Sequence, residues 1–226
     1  MTFAGIATIP GREESLRNTV LSLYNQVDKI GVFLNGHSVI PDFLDNPKIT
    51  VKKGDNSLGD AAKFWWFQDL KKGDTYLSCD DDLIYPVDYV QKSLEALKRH
   101  EGIITYHGSR IPNKRLRSYY MDRGPVFRCT KNVMIDNQVH IPGTGVSVIP
   151  RNSIELPISN FPIKNMADIW LGLAAKKQGV QITCSAHPGN WIKYQEEEMK
   201  GKATIFDDYV KDRPQTNAVN SINWYA

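Results

Sequence analysis

The chain predicts an α/β fold, a mixed and mainly parallel sheet with helices on both faces. Three observations carry that expectation. Short β-rich runs alternate with helical periodicity over roughly the first hundred residues, the pattern of strands joined by crossover helices. The early strand candidates are apolar without alternation, as strands covered on both faces are. At 226 residues, 41% hydrophobic and 23% charged, the chain has ordinary globular composition and length for one sizeable core.

The elements follow in order. Phe3 to Ile9 (FAGIATI) reads as a buried strand broken by Pro10-Gly11-Arg12. Glu13 to Val27 follows as a helix with Leu16, Val20, Leu23, Tyr24 and Val27 on one face. Lys29 to Leu34 is a second strand, ended by Asn35-Gly36, and Ile49 to Lys52 a short third. Leu58 to Lys72 is expected to be helical and carries the bulky cluster Phe64-Trp65-Trp66-Phe67, whose helical spacing suits core packing better than a stacking surface. Thr75 to Cys79 is a fourth strand. Val87 to His100 is a helix with Val87, Val90, Leu94 and Leu97 inward. Gly102 to Tyr106 and Val146 to Ile149 are strands. A helix from about Met166 to Gln178 and a strand from Gln181 to Ser185 complete the pattern. No internal repeat or linker divides the chain, so residues 1–226 read as one domain. The last segment, 196–226, is expected to pack back through Phe206, Tyr209, Val210, Trp224 and Tyr225.

Composition narrows the function classes. The net charge of +3 does not point to nucleic acid by itself. Cys79, Cys129 and Cys184 are odd in number and widely spaced, so they read as reduced thiols rather than a disulfide framework or zinc site. The first residues lack a basic stretch followed by an apolar one, and no apolar run reaches about 18 residues. A soluble, cytoplasmic protein is the expectation.

Asp80-Asp81-Asp82 stands at the C-terminal end of the fourth strand, where ligands of open α/β sheets bind. Three adjacent carboxylates repel one another and need compensation. As hard oxygen ligands they suit Mg²⁺ or Mn²⁺, with positions left for phosphate oxygens. An acidic turn capping the helix after Pro86 is the plainer alternative, although a cap needs one carboxylate rather than three. From Ser109 to Lys131 the chain lacks periodicity and carries Arg110, Lys114, Arg115, Arg117, Arg123, Arg128 and Lys131 against the single acid Asp122. Aromatic residues are interleaved, so the segment reads either as a solvated loop or as a surface for an anion.

Strand, Asp80-Asp81-Asp82, an apolar pair and Tyr85-Pro86 resemble the metal and nucleotide-sugar motif of GT-A fold glycosyltransferases, the Rossmann-like family 2 group of bacterial or phage type. Ala7-Thr8-Ile9-Pro10-Gly11-Arg12 is similar to that group's first donor loop. Gly54-Asp55-Asn56-Ser57-Leu58-Gly59-Asp60-Ala61-Ala62-Lys63 is similar to its second donor segment, and Asn165 to Gly172 to the acidic segment before a late helix. The resemblance covers most of residues 3 to 195 in the expected order. It implies a nucleotide-sugar half over about 1–108 and an acceptor half over about 109–195. Thr8, Pro10, Arg12, Asn35, Asp55, Asn56, Lys63, Asp80 and Asp81 would then serve the donor, a nucleotide-diphosphate sugar of the UDP-sugar type. Asp80 and Asp82 would hold Mn²⁺ or Mg²⁺, with His187 as a late ligand. A lone histidine before Pro188 is equally an ordinary loop residue.

A displacement at the sugar needs a base for the acceptor proton, and by resemblance Asp168 takes that part in an inverting transfer. Asn165 and Asp168 also read as a helix start resembling a capping box. The commoner family pattern has two adjacent acids where this chain has Ala167-Asp168, and a retaining transfer, which needs no base there, stays open. Arg115, Arg117, Gly143, Thr144 and Trp170 are the expected acceptor residues. A glycan, a lipid-linked or otherwise anionic acceptor, or a hydroxymethylated DNA base would suit the basic segment. Two other readings are weighed: a nucleotide-sugar or carbohydrate-binding module without activity, and an Asp-x-Asp phosphohydrolase. The second normally carries its motif after the first strand, whereas three strands precede it here.

Overall fold

The computed structural model describes residues 1–201 and 212–226. The first half runs β1 (Thr2–Thr8), α1 (Glu13–Tyr24), β2 (Lys29–Asn35), β3 (Ile49–Gly54), β4 (Thr75–Asp80), β5 (Leu83–Ile84) and α2 (Tyr89–Arg99). It continues through β6 (Ile103–Thr105), β7 (Gly108–Ser109), α3 (Tyr119–Asp122), β8 (Val126–Phe127), β9 (Asn137–Gln138), β10 (Ile141–Pro142) and β11 (Val146–Pro150). The chain closes with α4 (Ala167–Lys177), β12 (Ile182–Cys184), β13 (Lys193–Tyr194), α5 (Glu196–Met199) and α6 (Arg213–Val219).

The main sheet has eight strands in the order β3-β2-β1-β4-β11-β6-β12-β9. Its first four are parallel, as the apolar runs require: β1 is buried at Phe3, Ala4 and Ile6, and β2 at Ile30, Val32 and Leu34. β11 runs antiparallel between β4 and β6, which makes the sheet mixed. Strand order reverses about β1, since β2 lies on one side of it and β4 on the other. The C-terminal ends of β1 and β4 therefore flank a crevice of the kind that receives ligands in open α/β sheets. Leu16, Val20 and Leu23 pack α1 onto one core cluster, while Phe64, Phe67, Tyr76, Leu171 and Ala175 form a second. β13 pairs with β5.

Three expected elements differ. Residues 59–69 form two 3₁₀ turns, Gly59–Phe64 and Phe67–Asp69, rather than one α-helix. The Tyr76 hydroxyl donates to the Lys63 carbonyl, which an α-helix would have used internally, and Gly5 leaves the room for that approach. Trp66 and Phe67 are core residues, while Trp65 remains 38% exposed. α2 begins at Tyr89 rather than Val87; Val87 is 94% exposed because Tyr89 and Val90 take the inward positions. At α4, Asn165 does not cap. It sits in the left-handed region at φ 60°, and the amide of Ala167 is bound by Asp60 from the first 3₁₀ turn, at 3.0 Å. In the last segment Met199, Val219 and Trp224 are buried; Phe206, Tyr209 and Val210 lie outside the described residues. Among the described residues no helix is long and apolar enough to cross a membrane.

Candidate active site

The three consecutive aspartates are compensated one by one. Asp80 accepts an ion pair from Lys63, a lysine only 3% exposed. Burial alone would discharge that ammonium, but the nearby Asp80 and Asp60 carboxylates more than offset it and hold its pKa above the ordinary lysine value. Asp81 turns inward, 4% exposed, and pairs with Arg12 Nη1 at 2.9 Å, with the Thr8 side chain beside it. The middle carboxylate therefore ties the loop after β1 to the end of β4. Asp82 is 3.9 Å from the same guanidinium. Burial, then the charges of Asp80 and Asp81, push its carboxyl up to about 7.

Antiparallel register sets what faces this triplet. Val146 pairs with Cys79, so the turn Gly143-Thr144-Gly145 arrives beside Asp80. A Cβ on Gly145 would overlap the Asp80 carboxylate, and one on Gly143 would press on His107. The Tyr85 hydroxyl donates to the Gly145 carbonyl at 2.5 Å and accepts the Asp80 amide at 2.9 Å, which fixes the spacing. Asp168, in the first turn of α4, receives two bonds on Oδ1 from Thr144, 2.8 Å from its amide and 2.6 Å from its hydroxyl. Among the described residues nothing donates to its Oδ2. The Asp168 carboxylate thus answers to a turn across the cleft rather than capping its own helix.

Of these groups Lys63, Asp80, Thr144 and Asp168 line one cleft of about 320 Å³, with Asp60, His107, Tyr119, Tyr120, Arg123 and Arg128; Arg12, Asp81 and Asp82 are not in its lining. Burial first, and then Asp168, raise the Asp60 carboxyl to about 6, against the opposing pull of Lys63. Burial lowers the His107 pKa, favouring the neutral ring despite the Asp168 charge. A second depression of about 270 Å³ opens at the ends of β2 and β3, lined by Phe33, Asn35, Asp55, Asn56 and Trp65. Asn35 is held there by its amide bond to the Gly59 carbonyl at 3.0 Å.

Not every expected residue comes to these cavities. Thr8, Pro10 and Arg12 stand at the end of β1, and Arg12 serves Asp81. His187 is 5% exposed and packs edge-on against Tyr106; its Nδ1 lies 2.7 Å from the Ser185 carbonyl and its Nε2 3.3 Å from that of Arg128. Neither nitrogen faces the aspartates. Arg115 lines a separate hollow beside Asn220 and Trp224, and Arg117 is exposed. The Trp170 indole donates to the Ile163 carbonyl at 3.0 Å and lies outside the cleft lining. The basic segment does reach the cleft, but through Arg123 and Arg128. Those two, with Asp60, His107 and Tyr119, carried no local signal that separated them from their neighbours.

Among the described residues no three His, Cys, Asp or Glu side chains converge as a closed metal cage. The triplet fits an open site instead. Burial, and then repulsion from Asp80 and Asp81, lifts the Asp82 carboxyl, and a divalent cation beside Asp80 and Asp82 would offset both. Mg²⁺ and Mn²⁺ suit one or two carboxylates completed by phosphate oxygens.

No protein-family model matches the chain, and no curated protein matches it. Among solved structures it is similar to one described as a glucose-1-phosphate thymidylyltransferase from Bacillus anthracis, in complex with a sucrose. The TM-score is 0.52 at 12% identity, over 99% of this chain and 97% of that one. An inositol-1-phosphate CTP transferase from T. maritima reaches 0.49 at 11% identity, over 90% and 98% of the two chains. The first likeness shows the fold: a Rossmann-like α/β protein with a large, mainly parallel central sheet flanked by helices.

Proposed function

We infer that the protein is a metal-dependent glycosyltransferase, moving a sugar from a nucleotide-diphosphate sugar, a UDP-sugar, to an acceptor hydroxyl with inversion. The observation that carries this reading is the shared cleft. Asp168, fixed through one oxygen by Thr144, opens on the same space as Lys63 and Asp80 at the C-terminal end of β4. The fold is common to a protein described as a nucleotide transferase acting on a sugar phosphate.

In this mechanism the depression at Asn35, Asp55 and Asn56 receives the nucleoside, and Lys63 lies toward the diphosphate. Asp80 and Asp82 would hold Mg²⁺ or Mn²⁺, which supplies Lewis-acid stabilisation of the departing diphosphate. The acceptor oxygen attacks the anomeric carbon as the bond to the diphosphate breaks. Asp168 takes the hydroxyl proton on Oδ2, while Thr144 keeps the carboxylate oriented through Oδ1. His107, held neutral by burial, adds a polar contact without a competing charge.

The test is Asp168→Asn assayed with a panel of nucleotide sugars. Transfer should fall by about 10²- to 10⁴-fold, the range for loss of a general base, with donor binding unchanged. Undiminished transfer removes Asp168 from the reaction. Reaction of a sugar phosphate with a nucleoside triphosphate, in place of any reaction with nucleotide sugars, would replace glycosyl transfer by nucleotidyl transfer.

A further inference from the structure

The cleft carries two kinds of positive charge. Lys63 is neutralised in place by Asp80. The arginines that pair with carboxylates are Arg12, Arg17, Arg99 and Arg151. Arg123 and Arg128 have no carboxylate partner among the described residues, yet both line the cleft. Arg123 is also held in place. Its guanidinium lies 5.1 Å from the ring centroids of both Tyr119 and Tyr120, and its Nε is buried without a hydrogen-bond partner. The tyrosines are anchored in turn. The Tyr119 amide donates to Thr216 Oγ1 at 2.9 Å, and Ser118, the residue before α3, donates to Asp212 at 2.6 Å.

A guanidinium held against two aromatic rings with a desolvated, unpaired N–H is prepared for an oxyanion, because leaving a buried donor unmet is unfavourable by itself. Its position indicates which substrate brings that anion. Arg123 lines the same cleft as Asp168, and its Nη1 lies 3.5 Å from the hydroxyl of Tyr119, which also faces that space, so the arginine stands on the side of the proposed base. Lys63, Asp80 and Asp82 already provide for the donor diphosphate. We propose that Arg123 and Arg128 form an oxyanion subsite on the acceptor side of the cleft, and that the molecule accepting the sugar carries a phosphate group. This rests on the transferase reading above. Two unpaired guanidinium charges match a phosphomonoester, which carries about −1.5 to −2 at neutral pH; a carboxylate would leave one of them unanswered.

The test titrates the full chain with inorganic phosphate, glucuronate and UDP separately, and with phosphate again in the presence of saturating UDP. Calorimetry compares the parent with Arg128→Gln and Arg123→Gln. Arg128 is exposed, so its replacement spares the fold; Arg123→Lys serves if Arg123→Gln does not fold. Phosphate should bind with UDP present and weaken about tenfold or more in each variant, with UDP affinity unchanged and glucuronate weaker than phosphate. Arg123→Lys should also weaken phosphate, because an ammonium cannot reproduce the fork. Phosphate affinity indifferent to the arginines overturns the subsite, as does absence of phosphate binding to the parent. UDP affinity falling in parallel with phosphate assigns the arginines to the donor diphosphate and also overturns it. Glucuronate binding as tightly as phosphate removes the phosphate assignment. Loss of phosphate in the variants of a protein that never binds UDP sinks the transferase reading and leaves the subsite standing.

Discussion

Asp60 lies within the quoted donor segment, yet its side chain answers to a helix more than a hundred residues away. Its Oδ2 binds the Ala167 amide at 3.0 Å and so sets the first turn of α4, where Asp168 sits, while its Oδ1 is enclosed without a partner. Burial raises its carboxyl to about 6, above the ordinary 3.8. An acid whose folded pKa exceeds its unfolded value keeps its proton longer when folded. Its contribution is therefore complete below about pH 4 and is lost as pH rises through 6. Asp60→Asn retains an acceptor for Ala167 and abolishes that titration. Thermal unfolding of the variant should show a smaller decline between pH 4.5 and 7 than the parent, and identical profiles would show that Asp60 does not titrate in this range. Arg12 makes the opposite kind of contribution. Removing it leaves Asp81 buried and unpaired, so Arg12→Ala should lower unfolding stability by about 3–5 kcal/mol in urea titration. Adding Asp81→Asn should recover part of that loss, because the stranded charge is gone.

Elements were legible where one physical rule governed them alone. β1, β2 and β4 are buried on both faces, so continuous apolar runs announced them within a residue or two. α1 kept its stripe of Leu16, Val20 and Leu23. The Leu58 to Lys72 segment failed because a partner outside it, the Tyr76 hydroxyl, captures the Lys63 carbonyl; no local pattern encodes such a capture. The Asp80 triplet stood out as a candidate site by position and charge. Its division of labour was not legible, because Arg12 and Lys63 choose among the carboxylates only once β1 and β4 lie side by side. The turn before β11 is a device of the same scale. Gly145→Ala would drive a methyl group into Asp80, so it should reduce stability by about 1–3 kcal/mol and weaken UDP binding together. A stable variant with normal UDP affinity would show that the turn yields without moving the carboxylate.

At the scale of the whole molecule, the cleft is assembled from chain segments that no window of sequence contains. The β1 to β4 half supplies Lys63 and Asp80, the insertion of β11 brings Thr144 against Asp168, and the aromatic arginine wall depends on the end of the chain. That last dependence can be isolated. Trp224 is 7% exposed and sits with Val219, Ile111, Leu116 and Tyr119 in one apolar cluster. α6 reaches from this cluster to α3 through Thr216 and to the Leu116 backbone through Asn220 at 2.9 Å. Replacing Trp224 by alanine deletes the largest apolar side chain of the cluster and should lower unfolding stability by about 3–5 kcal/mol. Because α1, β1 and the Asn35 depression lie in other clusters, UDP binding should survive wherever the variant remains folded. Acceptor-side binding should not, since Tyr119 and Tyr120 lose the support that holds Arg123. A Trp224→Ala protein with both UDP and phosphate affinities intact would uncouple the tail from the cleft wall; selective loss of phosphate would show that the C-terminal segment shapes the arginine side of the cleft.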